Sequence, residues 1–179
     1  MGFFVRYVGI AAYSGDPPQT LIYAAQEFVW KLRKHLPSKN TVLVLGGYWG
    51  LMRVIVDEAL KAGFKVVILP PESMEDVSFP DNAIVIRTGT SFRVRSVFLV
   101  RTADVLVALG GEAGSIQEVV TAYTEGKPIY VLGGTGFSTD RVKSLAPYID
   151  RRMTSEIHII NDPSTLAEAV AKELLRRLQ

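Results

Sequence analysis

Short runs of apolar residues alternate along the chain with longer stretches in which apolar residues recur every three or four positions. Uninterrupted apolar runs bounded by glycine, proline or polar residues are typical of buried strands, whereas the longer period is typical of helices that pack one face on a sheet. The runs predict six or seven strands, within residues 3–12, 41–45, 64–69, 83–87, 105–109, 129–132 and 156–160.

Helix signals lie between these runs. Asp16 and the two prolines after it predict the start of the first helix, and the basic cluster at 31–35 closes it. Residues 70–81 contain three prolines and no period, so they are predicted to form a long loop. Further helices are predicted from the loop at Gly50 to Ala62, over 91–102, after Glu112, around 139–149 and after Asp162.

This alternation predicts an α/β protein with a Rossmann-like, doubly wound, mostly parallel sheet and helices on both faces, in three layers. With 179 residues and 48% hydrophobic content, the chain is expected to form one nucleotide-binding domain over residues 1–179. In such sheets the ligand binds outside the carboxyl ends of the strands.

The most informative stretch is 108–118, where a predicted strand turns through Gly110 and Gly111 into a predicted helix. The first N–H groups of a helix have no partner within it and converge on one point, which suits an anion. Other loops that follow predicted strands are expected on the same rim, and they contain Ser14, Gly46 and Gly133.

Several chemistries are excluded by what the sequence lacks. With no cysteine there is no disulfide, thiolate nucleophile or cysteine metal site. The phosphate-loop, dinucleotide-binding and serine-hydrolase glycine motifs are also missing. His35 and His158 lack the spacing of metal ligands, so no metal site is expected and both are predicted to be structural.

The charge pattern indicates no polyanionic partner. The formal net charge is only +2, so nucleic acid is an unfavoured partner and no membrane contact is expected. The apolar run at 3–12 is too short to span a bilayer, which favours a cytoplasmic protein. The scarcity of asparagine and glutamine fits a thermophilic source.

Two motifs together carry a family resemblance. Residues 46–52 (GGYWGLM) and 110–118 (GGEAGSIQE) resemble the G-G-G-x-x-G-L-M and P-G-G-x-G-T-x-x-E motifs of the Lonely Guy, or lysine decarboxylase-like, family. Arg95, before Ala103 and Asp104, fits the same pattern. That family comprises nucleoside 5′-monophosphate phosphoribohydrolases, with a related branch of molybdenum cofactor carriers, and nothing in this sequence supports lysine decarboxylation.

The resemblance implies roles for individual residues. Arg95 and Glu118 match the catalytic pair, and no cofactor is required for hydrolysis. It also implies a homodimer or larger homo-oligomer, with helix 91–102 as a candidate contact. Together with the rim loops, the candidate ligand-binding residues are Ser14, Gly46, Gly47, Gly50, Met52, Gly110, Gly111, Gly114, Ser115, Gly133 and Thr135.

The physical chemistry of these residues agrees with such a role. Cleavage of an N-glycosidic bond develops positive charge on the ribose, which a carboxylate such as Glu118 stabilises. The planar guanidinium of Arg95 suits a phosphate, and the Ser115 hydroxyl can donate to one. Glu112, Gly110, Ser115 and Ser96 replace residues of the family pattern, and they favour a carrier or a divergent enzyme as the alternative.

Simpler interpretations of the same residues also stand. Ser115 and Glu118 form an S-x-x-E capping box, which by itself predicts only a helix start. Arg95, like Arg93 and Arg101, is compatible with a solvated helix face. The aromatic pair at 48–49 is compatible either with stacking on a base or with covering the core.

Three classes of function therefore remain open. The first is hydrolysis of a nucleoside 5′-monophosphate, which requires Glu118 to be buried near Arg95 in a cleft. The second is non-catalytic binding of a nucleotide-like cofactor, either an AMP-like nucleotide or a molybdopterin-type ligand. The third is single-stranded DNA binding, which requires a basic groove.

Overall fold

A computed structural model describes residues 4–176. The strands are β1 (Arg6–Ala12), β2 (Thr41–Leu45), β3 (Lys65–Ile68), β4 (Ile84–Val85), β5 (Val105–Leu109), β6 (Ile129–Leu132) and β7 (Ile157–Ile160). The α-helices are α1 (Gln19–His35), α2 (Gly50–Lys61), α3 (Phe92–Thr102), α4 (Ala113–Thr124) and α5 (Pro163–Arg176). Short 3₁₀ helices cover Ser38–Asn40, Glu72–Met74 and Ser138–Leu145.

The strands form one seven-stranded sheet in the order β4-β3-β2-β1-β5-β6-β7. Every neighbouring pair is parallel, and Val8 of β1 lies between Leu43 of β2 and Val105 of β5. Strands β2, β3 and β4 extend the sheet from one edge of β1. The chain then crosses over, and β5, β6 and β7 extend the sheet from the other edge of β1. The predicted doubly wound sheet is therefore confirmed, and its switch in strand order lies between β1 and β5.

Alternate residues of each strand serve two separate cores. Val8 and Ile10 pack in the core shared with α1, α2 and α5, whereas Ala11 packs in the core shared with α3 and α4. Because side chains of a strand alternate between faces, near-continuous apolar strands are what a sheet covered on both sides requires. The three-layer arrangement follows from that pattern.

Three predicted elements differ in detail. The helix expected around 139–149 is the 3₁₀ helix Ser138–Leu145, and it ends before Ala146 because a residue that precedes proline disfavours the helical conformation. The strand expected at 83–87 is observed as the two-residue edge strand Ile84–Val85, after which Ile86 N–H donates to the Ile68 carbonyl of β3. The strand predicted over 3–12 is observed over Arg6–Ala12, and Phe3 lies outside the described residues.

A buried carboxylate joins α1 to α2. Glu58 accepts hydrogen bonds from Trp30 Nε1 at 2.8 Å, from Lys61 Nζ at 2.9 Å and from Gln26 Nε2 at 3.4 Å. Burial by itself would raise the pKa of Glu58, but these donors outweigh it and hold the pKa below its ordinary value. The charged form therefore stabilises the fold.

Replacing Glu58 with alanine is expected to lower the free energy of unfolding by about 1–3 kcal/mol at pH 7, because the hydrogen bonds that Trp30 and Gln26 donate to a charged carboxylate are lost. A lowered pKa contributes stability above the ordinary value of 4.5 and loses it as pH falls through the folded-state pKa. Urea unfolding at pH 7 and pH 3 should therefore show a smaller difference between the two proteins in acid. An equal difference at both pH values would contradict this role.

None of the helices within residues 4–176 has the length and apolar character needed to cross a membrane. The predicted cytoplasmic location and thermophilic source stay predictions.

Candidate functional site

A cavity of about 430 Å³ opens at the carboxyl ends of β1, β2 and β5, at the switch in strand order. This is the position at which open α/β sheets bind ligands. Its lining comprises Ile10, Ala12, Ser14, Gly46, Trp49, Met52, Phe92, Arg93, Arg95, Ser96, Glu112, Ala113, Gly114, Ser115, Gln117 and Glu118.

The turn between β5 and α4 directs a helix N-terminus at this cavity. Gly110 and Gly111 have φ angles of +73° and +135°, which favour glycine. A Cβ on Gly111 would also lie 2.2 Å from Ser115 Oγ. The first bond of the helical ladder runs from Ile116 N–H to the Glu112 carbonyl, so the N–H groups of 113–115 precede it. The positive end of α4 therefore faces the ligand space.

A second helix, α2, begins beside the cavity, whose lining includes Trp49 and Met52. Gly50, the first residue of α2, has a φ of +55°, and a Cβ there would lie 2.5 Å from the carbonyl oxygen of Gly15. Leu51 N–H donates to the Tyr13 carbonyl at 2.9 Å, which ties α2 to the end of β1. The N-terminus of α2 thus borders the cavity but donates its Leu51 N–H within the protein, so the N-terminus of α4 is the one that favours an anion there.

Arg95 of α3 and Glu118 of α4 form a buried ion pair within the cavity wall. Arg95 Nη1 donates to Glu118 Oε1 at 3.1 Å, and only 6% of each residue is exposed. Gly46 permits this packing, because a Cβ at that position would lie 1.8 Å from Arg95 Nη1. The cleft that the hydrolase hypothesis requires is therefore present.

Burial dominates the electrostatics of this pair. It raises the pKa of Glu118, and the Arg95 charge and the hydrogen bonds from Ser96 and Arg95 oppose that rise. Burial likewise lowers the pKa of Arg95, against the attraction of Glu118. A carboxylate with a raised pKa beside a cavity is a characteristic arrangement for general acid–base chemistry.

The Nε atom of Arg95 is buried and has no hydrogen-bond partner among the described residues. Arginine presents five N–H donors, and a buried donor without an acceptor is destabilising. Arg95 also lines the cavity. An anionic ligand that reaches this guanidinium would supply the missing acceptor.

The capping-box interpretation of Ser115 and Glu118 is wrong. Glu112 occupies the N-cap position of α4, Ser115 is already within the helix, and no side chain caps the helix. Glu118 binds Arg95 and Ser96 instead. The solvated-face interpretation holds for the exposed Arg101 but not for Arg95, which is buried.

The two aromatic residues at 48–49 have separate roles. Tyr48 donates its hydroxyl to Asp57 at 2.8 Å, and the Arg53 guanidinium carbon lies 5.5 Å from the centre of its ring. Trp49 lines the cavity. Of these two residues, Trp49 is therefore the one available to stack on a ligand in the cavity.

The glycine loop after β6 does not reach the cavity lining. Asp140 accepts hydrogen bonds from the N–H and hydroxyl of Thr135 and from the N–H of Gly136. A Cβ on Gly133 would lie 2.4 Å from Asn161 Oδ1, so close packing accounts for that glycine. The donors of this loop are engaged by the protein's own carboxylate.

The structure thus brings together part of the predicted ligand-binding set. Ser14, Gly46, Met52, Gly114 and Ser115 line the cavity with the catalytic candidates Arg95 and Glu118. The other candidates shape the turns or lie elsewhere, and they are Gly47, Gly50, Gly110, Gly111, Gly133 and Thr135.

Sequence reasoning missed Phe92 and Gln117, which also line the cavity. An aromatic residue one helical turn from Arg95 was the available signal for Phe92. The two histidines lie outside this cavity lining: His158 stacks on Tyr130 with ring centres 4.7 Å apart, and His35 faces Glu168 at 3.8 Å. Residues 4–176 contain no group of three histidine, aspartate or glutamate side chains arranged for a metal ion.

Known structures share this architecture. The crystal structure of the structural-genomics target TM1055 is 30% identical, with a TM-score of 0.82 over 94% of this chain and 99% of that one. The molybdenum cofactor binding protein of Rippkaea orientalis is 20% identical, with a TM-score of 0.75 over 96% of this chain and 98% of its own. The molybdenum cofactor carrier protein of Chlamydomonas reinhardtii is 22% identical, with a TM-score of 0.72 over 96% and 99%.

A more distant likeness is DNA processing protein A of Streptococcus pneumoniae, at 15% identity and a TM-score of 0.66 over 92% of this chain and 62% of that protein. At identities below 25% these similarities establish the fold alone. An uncharacterised protein of Archaeoglobus fulgidus is 32% identical over 101 residues, which make up 56% of this chain and 65% of that relative. The model of the SLOG cluster4 family matches residues 6–167, and the chain therefore belongs to that family.

Proposed function

We propose that this protein binds a nucleoside 5′-monophosphate in the cavity between β1 and β5 and hydrolyses its N-glycosidic bond. One observation carries the proposal: a buried Glu118, paired with Arg95 at 3.1 Å, lines a cavity that the N-terminus of α4 faces. The cavity combines an anion-binding end, a carboxylate and aromatic side chains, and a mononucleotide has a matching phosphate, ribose and base.

The phosphate has donors available from several directions. The N-terminus of α4 faces the cavity, and Ser115 lines it with a hydroxyl group. The buried Nε of Arg95 has no acceptor within the described protein. Together these groups supply the backbone amides, hydroxyl and guanidinium that phosphate sites use.

Glu118 is assigned to the reacting sugar. As the C1′–N bond lengthens, positive charge develops on the ribose, and the carboxylate stabilises it and receives a proton from the attacking water. The water oxygen bonds to C1′ as the C1′–N bond breaks, Glu118 passes the proton from water on to the leaving base, and the sugar product is ribose 5-phosphate. Burial raises the pKa of Glu118, which makes its carboxylate a stronger base for this proton.

The base is assigned to the apolar part of the cavity. Trp49 and Phe92 provide aromatic surfaces, and Met52 provides a flexible apolar contact. Such contacts favour any planar heteroaromatic ring, so the proposal extends to 5′-mononucleotides as a class. The resemblance of both glycine motifs to the Lonely Guy family supports the same activity.

A non-catalytic carrier of a molybdopterin-type cofactor is the second candidate. The names of two structural neighbours favour it, since one is a molybdenum cofactor binding protein and the other a molybdenum cofactor carrier. A pterin with a phosphate needs the same aromatic and anion-binding groups. Single-stranded DNA binding is less favoured, because the charged side chains of the cavity, Arg93, Arg95, Glu112 and Glu118, balance in sign.

The resemblance also supports a homo-oligomer with α3 at its contact. The outer face of α3 carries the exposed apolar side chains Val94 and Phe98. Exposed aromatic groups of this kind are enriched at protein interfaces. Sedimentation of the purified protein at several concentrations tests this proposal, and a single monomeric species throughout would refute it.

The deciding experiment separates binding from chemistry. Purified protein is incubated with AMP, other 5′-mononucleotides and adenosine, and free base and ribose 5-phosphate are measured by chromatography while calorimetry reports binding. Release from AMP but not from adenosine is the expected result, because adenosine lacks the phosphate. Binding of AMP without release of base would refute the proposed hydrolysis and favour the carrier function.

Glu112 is expected to weaken phosphate binding in the natural protein. It occupies the N-cap of α4, lines the cavity and accepts a hydrogen bond from Ser138. Glu112→Gln removes its charge and keeps an acceptor for Ser138, so AMP should bind roughly fivefold more tightly, equivalent to about 1 kcal/mol.

Calorimetry at low and high salt checks the Glu112 prediction, with adenosine as the uncharged control ligand. The gain for AMP should shrink as salt screens the repulsion, and adenosine should bind both proteins equally. Equal AMP affinity for the two proteins at low salt would show that this carboxylate does not act on the phosphate.

A further inference from the structure

Ser96 lies beside the Arg95–Glu118 ion pair, and its hydroxyl group has two acceptors within hydrogen-bonding distance. It is buried, and its Oγ lies 2.8 Å from Glu118 Oε1 and 3.0 Å from the carbonyl oxygen of Phe92. A serine hydroxyl carries one proton, so it donates to only one of these acceptors at a time. Bonding to the charged carboxylate is the stronger of the two interactions.

Both donors to Glu118 reach the same oxygen. Arg95 Nη1 and Ser96 Oγ each donate to Oε1, and no hydrogen bond from the described residues reaches Oε2. The carboxylate is thus held at one oxygen by two side chains from the same helix. Its second oxygen is left for a ligand or a water molecule.

We propose that Ser96 is a positioning residue for Glu118, holding Oε1 of the ionised carboxylate so that Oε2 serves the reaction. When Glu118 takes up a proton, the Ser96 hydroxyl turns to the Phe92 carbonyl and the carboxyl group is released from one of its two anchors. The catalytic part of this inference rests on the proposed hydrolysis, whereas the hydrogen-bonding part does not.

Few other charges act on Glu118. Arg95 and Arg93 of α3 and Glu112 before α4 are the charged groups that line the same cavity. The residues that β1 and the β2–α2 loop contribute to the lining carry no charge. With a single cation in contact, the hydroxyl of Ser96 is the one neutral side chain that donates to the carboxylate among the described residues.

A direct titration tests the hydrogen bond without any need for activity. The protein is labelled with ¹³C at the glutamate carboxyl carbons, and Glu118→Gln identifies the Glu118 resonance by its loss. In Ser96→Ala the Glu118 resonance should titrate at higher pH than in the natural protein, because the ionised form has lost a donor. Ser96→Thr retains the hydroxyl and should restore the natural titration.

An unchanged titration in Ser96→Ala would overturn the proposal. So would a shift that Ser96→Thr fails to reverse while its circular dichroism and thermal unfolding match the natural protein, since the shift would then not come from the hydroxyl. If Ser96→Ala does not fold, the titrations of Ser96→Thr and Ser96→Cys are compared instead. The thiol is a weaker donor than the hydroxyl, so Glu118 should titrate at higher pH in Ser96→Cys than in Ser96→Thr.

Kinetics tests the catalytic half. Ser96→Ala should lower kcat for base release from AMP about tenfold, the effect of one hydrogen bond to a charged group, with KM unchanged and the acid limb of the pH profile moved to higher pH. An identical pH profile would refute the catalytic role. If the natural protein releases no base, the proposed function fails, and the titration still decides whether Ser96 holds Glu118.

Discussion

Glu118→Gln is expected to reduce base release from AMP by about a thousandfold while leaving AMP bound at least as tightly. The loss has the size that removal of a general acid–base group produces. Binding should survive because the amide keeps the shape of the side chain and an acceptor for Ser96. Without the negative charge of Glu118, the buried guanidinium of Arg95 lacks a counter-ion and should therefore attract the phosphate of AMP more strongly.

The kinetic measurement is single-turnover release of base, paired with calorimetric binding of AMP. Glu125→Gln is the matched control, since Glu125 follows α4 and forms only an exposed pair with Arg101, at 3.5 Å. The control should retain full activity. If Glu118→Gln and the natural protein release base at comparable rates, Glu118 is not a catalytic residue. If Glu118→Gln loses AMP binding together with base release, the role of Glu118 is structural.

Arg95→Met is expected to lower the free energy of unfolding by about 3–5 kcal/mol at pH 8. The substitution leaves the carboxylate of Glu118 buried without its cation, and breaking a buried pair from one side carries a penalty of this size. Arg101→Met, at the exposed end of the same helix, should change stability by less than about 1 kcal/mol. Urea unfolding of both variants provides the comparison.

The same loss should depend on pH. Burial raises the pKa of Glu118, so the folded state binds a proton more readily than the unfolded state does. Stability therefore falls as pH rises from the ordinary carboxyl value of 4.5 through the folded-state pKa, and without the opposing charge of Arg95 this fall continues to higher pH. Arg95→Met should accordingly be less damaging at pH 5 than at pH 8.

The double variant Arg95→Met with Glu118→Gln separates charge from packing. Removing both charges leaves no buried ion, so the double variant should be more stable than Arg95→Met alone at pH 8. A double variant whose loss equals the sum of the single losses would show that the two side chains do not act on each other.

The sequence predicted that the glycine motifs form turns between strands and helices, but it did not predict every residue that lines the site. Ser115 and Glu118 have the spacing of a capping box and also of a phosphate turn with its carboxylate. The choice between them depends on how α3 packs on α4, because that packing brings Arg95 and Ser96 to Glu118. No periodicity within α4 contains this information.

The loop after β6 illustrates the opposite case. Its glycines and Thr135 follow a strand at the correct rim, so the pattern predicts ligand donors there. Asp140, five residues after Thr135, accepts hydrogen bonds from those donors. A carboxylate within a few residues of a glycine turn is a local signal, and it was available in the sequence.

The sequence by itself determined a mostly parallel sheet of six or seven strands, its two covered faces and the rim on which the glycine turns lie. It could do so because apolar runs, helix periods and strand-end glycines are local features whose physical requirements recur in every such sheet. The tertiary structure decided that Arg95 and Glu118, separated by 23 residues, meet as a buried pair. Such contacts depend on how helices pack across the switch in strand order, where residues distant in the chain share one low-dielectric space.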